Sequence, residues 1–320
     1  MNILVVRNDK LGDFITALPT LYVLKKHNPN NKIVVLIAPL NKAIAMECDF
    51  IDEVIVDSGQ SVFELAKEIK AKKIDISLTL FSNTRIAMVQ FLAKIPKRVA
   101  PATKIAQIFY TNRVKQRRSQ VKMAEFEYNL ELTKEIFKEI DLEYKKPLLE
   151  FQDSKEVYNA FCEKNSIEKD VIAFHVGFGG SSDANWNLDE YEILIKEVLQ
   201  QNRYQVVLTF GPDERELYEN MKRRVKDSNV VFYLSIDGIV EFCKLISNFK
   251  LFVSTSTGTY HLASLVGTPT MTFFGSSLFA SAKRWKSIGS KEKQEHFMIP
   301  LDKELREKLF NEVKGRLVTL

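Results

Sequence analysis

The chain has 320 residues, 45% hydrophobic and 27% charged, which suits a soluble globular protein of two ordinary domains. Its formal net charge of +5 is too modest to identify a partner by itself. Three widely spaced cysteines, Cys48, Cys162 and Cys243, argue for a reducing compartment and against a disulfide framework; four histidines, none paired with a cysteine at ligand spacing, argue against structural zinc.

M-N-I-L-V-V opens the chain on a strand, with no signal peptide. Strands are predicted at Ile3–Arg7, Ile33–Ala38, Glu53–Asp57, Ile76–Leu80 and Arg98–Ala100, with helical patterns between them at Leu21–Lys26 and Val62–Ala71. This alternation implies a parallel sheet covered by helices. A long charged helix is expected from Val121 to Ile140, then a polar linker near Asp141–Asp153. The alternation restarts with Val171–Val176, Gln205–Thr209, Val230–Leu234, Leu251–Ser254 and Thr270–Phe274. A last helix from Lys303 has room to pack back on the first domain. The expected organisation is an α/β domain over 1–150, a second over 151–302 and the C-terminal helix over 303–320. Apolar stretches such as Ile33–Leu40 are too short to span a bilayer.

In open α/β sheets, ligands bind beyond the carboxyl ends of strands, so the loops there carry the candidate chemistry. N-D-K-L-G-D follows the first strand and sets Asp13 at a helix start, where the dipole favours a carboxylate; a capping acid would look the same. H-V-G-F-G-G-S-S follows the strand at 171–176, and its Gly179, Gly180, Ser181 and Ser182 can wrap an anion with N–H and hydroxyl groups. It is not G-x-G-x-x-G, so nicotinamide-dinucleotide binding lacks its best motif. Asn187 and Glu190 have capping-box spacing. F-G-P-D-E sets Glu214 just past a strand, where it can accept from ribose hydroxyls or merely begin a helix. S-T-S-T-G-T-Y-H-L-A joins a strand to a helix. Ser256, Thr257, Gly258 and His261 then lie at the positive end of the helix dipole, suited to phosphate.

The segment R-V-K-Q-R-R-S-Q-V-K carries Arg113, Lys115, Arg117, Arg118 and Lys122, five cations in ten residues. It reads as a solvated face or as a surface for an anionic acceptor or membrane. No nucleic-acid module accompanies it.

Taken together, I-L-V-V-R-x-D-K-L-G-D-x-x-x-x-L-P, R-V-A-P, Q-R-R-S-Q-V-K-x-x-E-x-E-Y-N-L, H-V-G-x-G-G-S-S, G-P-D-E and S-T-G-T-x-H-L-A-S-L-x-G-T-P-T-M-x-x-F-G resemble glycosyltransferase family 9, the lipopolysaccharide heptosyltransferases. The resemblance implies a GT-B architecture, two Rossmann-like domains with parallel sheets facing a central cleft, acceptor in the first and donor in the second. It implies inverting, metal-independent transfer of heptose from ADP-heptose to an anionic glycolipid acceptor, with no cofactor and no nucleic acid. The enzyme would be cytoplasmic, in peripheral contact with the inner membrane. By motif, Asp13 matches the catalytic acid, S-T-G-T-x-H the donor loop, Gly179–Ser182 the pyrophosphate-side loop and Glu214 the nucleotide-associated acid. Two positions depart: Ser256 stands where the donor loop often has Asp, and Ala184 where a lysine often precedes N-W-P. Transfer from another nucleotide sugar, and a non-catalytic nucleotide- or glycan-binding role, therefore stay open.

Overall fold

The computed structural model describes residues 1–102, 105–178 and 184–320. It divides into Met1–Lys145 and Lys146–Leu320.

In the first unit, strands β1 (Asn2–Arg7), β2 (Lys32–Ile37), β3 (Glu53–Val56), β4 (Ile76–Thr79), β5 (Lys97–Pro101) and β6 (Asn112–Val114) form one sheet in the order β3-β2-β1-β4-β5-β6. Every pairing is parallel. A strand covered on both faces must be apolar throughout, and Ile3–Val6 and Ile33–Val35 are fully buried. Helices such as Val62–Ala71, started by a Ser61–Glu64 capping box, lay Leu65 and Ile69 on this sheet beside Leu4 and Val34. Each such side chain stabilises the unit by about 1.5–3 kcal/mol.

The second unit repeats this plan. Strands β7 (Asp170–His175), β8 (Tyr204–Phe210), β9 (Val230–Leu234), β10 (Leu251–Thr255), β11 (Thr270–Gly275) and β12 (Gln294–Ile299) are ordered β12-β11-β10-β7-β8-β9, again all parallel. Relabelled by position, both sheets have the doubly wound order 3-2-1-4-5-6, which reverses between its first and fourth strands. The core packs Trp186, Tyr191 and Leu194 against Phe174, Val206 and Phe273. Asn187 and Glu190 make the expected capping box.

One expectation changes. The long helix over Val121–Ile140 is instead a short one, Glu125–Glu131, followed by a 3₁₀ turn at Leu132–Glu135. Val121 has left-handed backbone (φ 45°), which no helix can include, and it is held there fully buried. At the other end the Thr133 hydroxyl donates to the Leu130 carbonyl (2.6 Å), a local bond that competes with helix continuation. The last helix, Lys303–Val318, is seated on the second unit: Val313 and Leu317, one turn apart, are fully buried in that unit's core. Among the described residues, no helix is long and apolar enough to cross a membrane.

Candidate active-site residues

In each unit some candidate residues lie where the strand order reverses, Asp13 after β1 and Ser256–Gly258 after β10. In the first, β1 ends on Arg7, a guanidinium only 2% exposed. A buried cation is tolerable only when paired. Arg7 directs its fork at three carboxylates. Nε donates to Asp9 (2.9 Å), Nη1 to Glu125 (3.3 Å) and Nη2 to Asp13 Oδ1. Burial alone would lower the Arg7 pKa, but Asp9, Asp13 and Glu125 outweigh it and keep the group charged. Burial also pushes the Asp9 carboxyl up to about 6; Arg7 opposes this and Asp13 adds to it. Phe81, just past β4, presents its ring 5.8 Å from the Arg7 guanidinium.

Asp13 lies on the short helix Leu11–Ile15 that follows β1. Arg7 holds its Oδ1; no described residue bonds Oδ2. Its side chain is 18% exposed, so that oxygen can meet a ligand. The helix Glu125–Glu131 reaches the same place. Glu125 accepts from Arg7, and Asn129 Nδ2 donates to the carbonyl of Thr16 (3.3 Å), whose hydroxyl donates to the Asp13 carbonyl (2.7 Å). Arg7, Asp9, Glu125 and Asn129 were not singled out from sequence as site residues. The available signal was a charged Arg-x-Asp ending an otherwise apolar strand.

The basic segment is not uniform. Arg113, Lys115, Arg117 and Lys122 are exposed. Arg118 is not: its side chain is 17% exposed, Nη1 donates to Glu125 (2.5 Å), Nε donates to Gln116 (2.9 Å), and the guanidinium lies 5.5 Å from the Tyr128 ring. Burial lowers its pKa against the pull of Glu125. Arg118 thus belongs to the buried chain Arg118–Glu125–Arg7–Asp13, which corrects its grouping with the exposed cations.

In the second unit, Glu214 caps the helix Arg215–Arg224 but turns its carboxylate back on the strand ends. Its Oε2 accepts the Gly211 N–H (2.7 Å) and lies 3.7 Å from His175 Nε2. His175 is buried, its Nδ1 3.2 Å from the Thr209 hydroxyl; burial lowers its pKa and Glu214 partly restores it. Gly177 leaves the carboxylate room: a Cβ there would fall 1.9 Å from Glu214 Oε1, so Glu214 would have to swing aside. Glu214 lines an open hollow of about 950 Å³ with Phe178, Ala184, Trp186, Leu301 and Arg306. Arg306 stacks 4.7 Å over Trp186 and pairs with Glu190 (2.7 Å), so a cation from the last helix borders the hollow shared with Ala184.

After β10, Thr257 is the extended N-cap of the helix Gly258–Leu265 and makes no side-chain cap; its hydroxyl meets that of Thr259 (2.8 Å). The first N–H groups of this helix are thus left without a side-chain acceptor from Thr257. Ser256, Thr257 and Gly258 are half-buried, and the Ser256 N–H is spent on the Phe273 carbonyl (2.9 Å). His261 is only 3% exposed, its Nδ1 on the Ser287 hydroxyl (3.0 Å), and burial pushes its pKa down to about 3. It is a buried group held at Nδ1 by the segment that carries Ser287. Gly179, Gly180, Ser181 and Ser182 lie outside the described residues. Among the described residues, no group of three His, Cys, Asp or Glu side chains has an arrangement that could hold a metal ion.

Several known proteins resemble this chain. A Haemophilus influenzae protein named as a provisional glycosyltransferase is 38% identical over 313 residues, covering 94% of this chain and 90% of its own. Lipooligosaccharide heptosyltransferase 2 of Campylobacter jejuni is 23% identical over 287 residues, 88% of this chain and 84% of its own. Among solved structures, Escherichia coli ADP-heptose LPS heptosyltransferase II superposes with a TM-score of 0.77 at 18% identity, covering 99% of both chains. The fold is thus GT-B-like, two doubly wound α/β units of the kind seen in heptosyltransferases. The model of glycosyltransferase family 9 (heptosyltransferase) matches residues 62–308, and the chain belongs to that family.

Proposed function

We propose that this protein transfers heptose from ADP-heptose to an anionic glycolipid acceptor of the lipopolysaccharide inner core, with inversion and without a metal. The observation that carries the reading is the Asp13 carboxylate at the switch point of the first sheet, one oxygen held by buried Arg7 and the other available. The names of the Campylobacter jejuni and Escherichia coli relatives support the sugar and its carrier.

A carboxylate cannot deprotonate a sugar hydroxyl in advance. It can take the proton as the new C–O bond forms, a general-base contribution of roughly 10²–10⁴-fold. As the acceptor oxygen bonds to the anomeric carbon, the bond from that carbon to the nucleoside diphosphate breaks on the opposite face, and the diphosphate departs with the electron pair. The uncapped N–H groups at Gly258 and the Thr257 and Thr259 hydroxyls supply donors for its growing charge. Glu214, held by Gly211 at the edge of the hollow, would accept from ribose hydroxyls. Arg113, Lys115, Arg117 and Lys122 supply the positive surface for the acceptor, with Arg118 acting inward through Glu125. The reaction would take place in the cytoplasm, beside the inner membrane.

Ser256 and Ala184 favour one second reading: the same chemistry with a different nucleotide sugar, whose diphosphate Arg306 could help hold in place of the usual lysine. Asp13→Asn is the decisive variant. Turnover with ADP-heptose should fall at least ~10²-fold with donor affinity nearly unchanged. Near-normal turnover in the folded variant removes Asp13 from the chemistry. A wild-type enzyme that ignores ADP-heptose but turns over another nucleotide sugar selects the second reading.

A further inference from the structure

The turn Arg118–Gln120 is bracketed by two left-handed residues that are not glycine, Arg117 (φ 47°) and the β-branched Val121 (φ 45°). Such backbone costs free energy and persists only where its surroundings over-determine it. Here Tyr128, on the helix Glu125–Glu131, ties both flanks. Its carbonyl accepts from Gln116 Nε2 (2.6 Å), and its hydroxyl accepts the Lys122 N–H (3.0 Å). Held on both sides, the turn leaves Arg117 and Lys122 in solvent and sends Arg118 inward.

Arg118 arrives where charge is already unbalanced. Its Nη1 and Arg7 Nη1 donate to the same oxygen, Glu125 Oε1 (2.5 and 3.3 Å). Arg7 also serves Asp9 and Asp13. Two guanidiniums thus face three carboxylates in one cluster, and without Arg118 a single guanidinium would face all three. The Asp9 carboxyl, already pushed up to about 6, shows how little further negative charge the cluster can take. A buried ion pair is often no more stabilising than apolar residues of the same size, so stability alone does not explain the strained turn.

We propose that Arg118 is a positioning residue of the transfer: by compensating Glu125 it leaves Arg7 to anchor Asp13. Without it, Glu125 would draw Arg7 onto itself and compete with Asp13 for the fork. The surplus negative charge would also keep a proton on the cluster at higher pH, shared between Asp9 and Asp13, and a protonated Asp13 cannot accept another. The groups around Asp13 in this account are Arg7 and Asp9 at the end of β1, then Glu125 beyond Arg7, and Arg118 with Tyr128 beyond Glu125. The inference rests on the proposed role of Asp13 as the base and adds the residue that keeps that base in place.

The test is steady-state transfer across pH by the whole chain, with the nucleotide sugar that the wild type turns over. Arg118→Met should lower kcat about 10-fold near neutral pH with donor KM unchanged. It should also move the acid limb of kcat upward by about one pH unit. Glu125→Gln added to Arg118→Met removes the surplus charge and should return the limb and most of kcat. Arg118→Lys keeps the charge and should leave the limb in place; it carries the test if Arg118→Met does not fold. A loss that is uniform across pH, a double variant no better than Arg118→Met, or a limb that moves in Arg118→Lys assigns Arg118 to the fold alone and overturns the proposal. Asp13→Asn separates this inference from the reading beneath it. Normal turnover there removes the base and the inference together, whereas lost turnover there with an unaltered Arg118→Met removes the inference only.

Discussion

Replacing Arg7 by lysine keeps the charge at the end of β1 and removes the fork. The guanidinium reaches Asp9, Asp13 and Glu125 from three different nitrogens, and a single ammonium cannot span all three. Losing two charge-assisted bonds at about 1.5–3 kcal/mol each gives a cost of about 3–6 kcal/mol. That agrees with the ~3–5 kcal/mol typical of a broken buried ion pair. For a unit of this size the melting temperature should fall by roughly 2–4 °C per kcal/mol, or about 6–20 °C in all. Catalysis should suffer separately. With Asp13 released from its anchor, a misplacement on the order of 1 Å is enough to cost about 10²-fold in turnover. The assay is thermal unfolding followed by dichroism, with steady-state transfer measured well below the lowered transition. Donor KM should hardly move while kcat falls. If Arg7→Lys melts within ~2 °C of wild type and turns over normally, the fork does not organise the site and the account of Asp13 is wrong.

Three further outcomes follow from other parts of the molecule. Gly177→Ala drives a methyl into Glu214, so nucleotide-sugar affinity should drop about 10-fold while the first unit is untouched; isothermal titration checks it, and unchanged affinity would detach Glu214 from the nucleotide. His261 has a folded pKa of about 3 against 6.5 as the ordinary value. The folded state therefore binds fewer protons than the unfolded state between these values. Stability is intact above pH ~6.5 and is lost as the pH falls, by about 1.4 kcal/mol per unit. His261→Gln should shrink that acid-side loss in urea titrations, and an identical pH profile would contradict the buried neutral ring. Reversing Arg117 and Lys122 to Glu should raise acceptor KM and flatten its salt dependence with donor affinity unchanged, whereas a collapse of donor affinity would reassign the segment.

Much of the strand framework was readable because a strand buried on both faces must be an apolar run, and such runs stand out at β1, β2, β7, β8, β10 and β11. The helix after residue 121 was not, since its charge pattern is helical and its interruption depends on the buried left-handed Val121. Asp13 could be picked out from its place after a strand, but its anchor could not. Glu125 lies 118 residues from Arg7, and no local spacing links them. Arg118 was grouped with its basic neighbours because charge density along a chain does not reveal which cation turns inward; the partner that decides it, Glu125, is seven residues on. How His261 is held was hidden for the converse reason. Its position in the helix was evident, but the Ser287 hydroxyl that holds it comes from a segment 26 residues away.

The sequence separation within the Arg7 cluster also sets an order of events during synthesis. β1 can find β2 and β4 once about 80 residues have left the ribosome, since its partners end at Ile37 and Thr79. A nascent chain at that stage would hold Arg7 with Asp9 and Asp13 but without Glu125 or the Asn129 bond to Thr16. The candidate base is therefore finished last in its unit, after its sheet has had the opportunity to form. A fragment ending before Glu125 is expected to gain parallel-sheet structure yet leave the loop at 8–16 unlocked. Amide protons there should exchange fast until residues 125–129 are added, in the same chain or as a separate peptide.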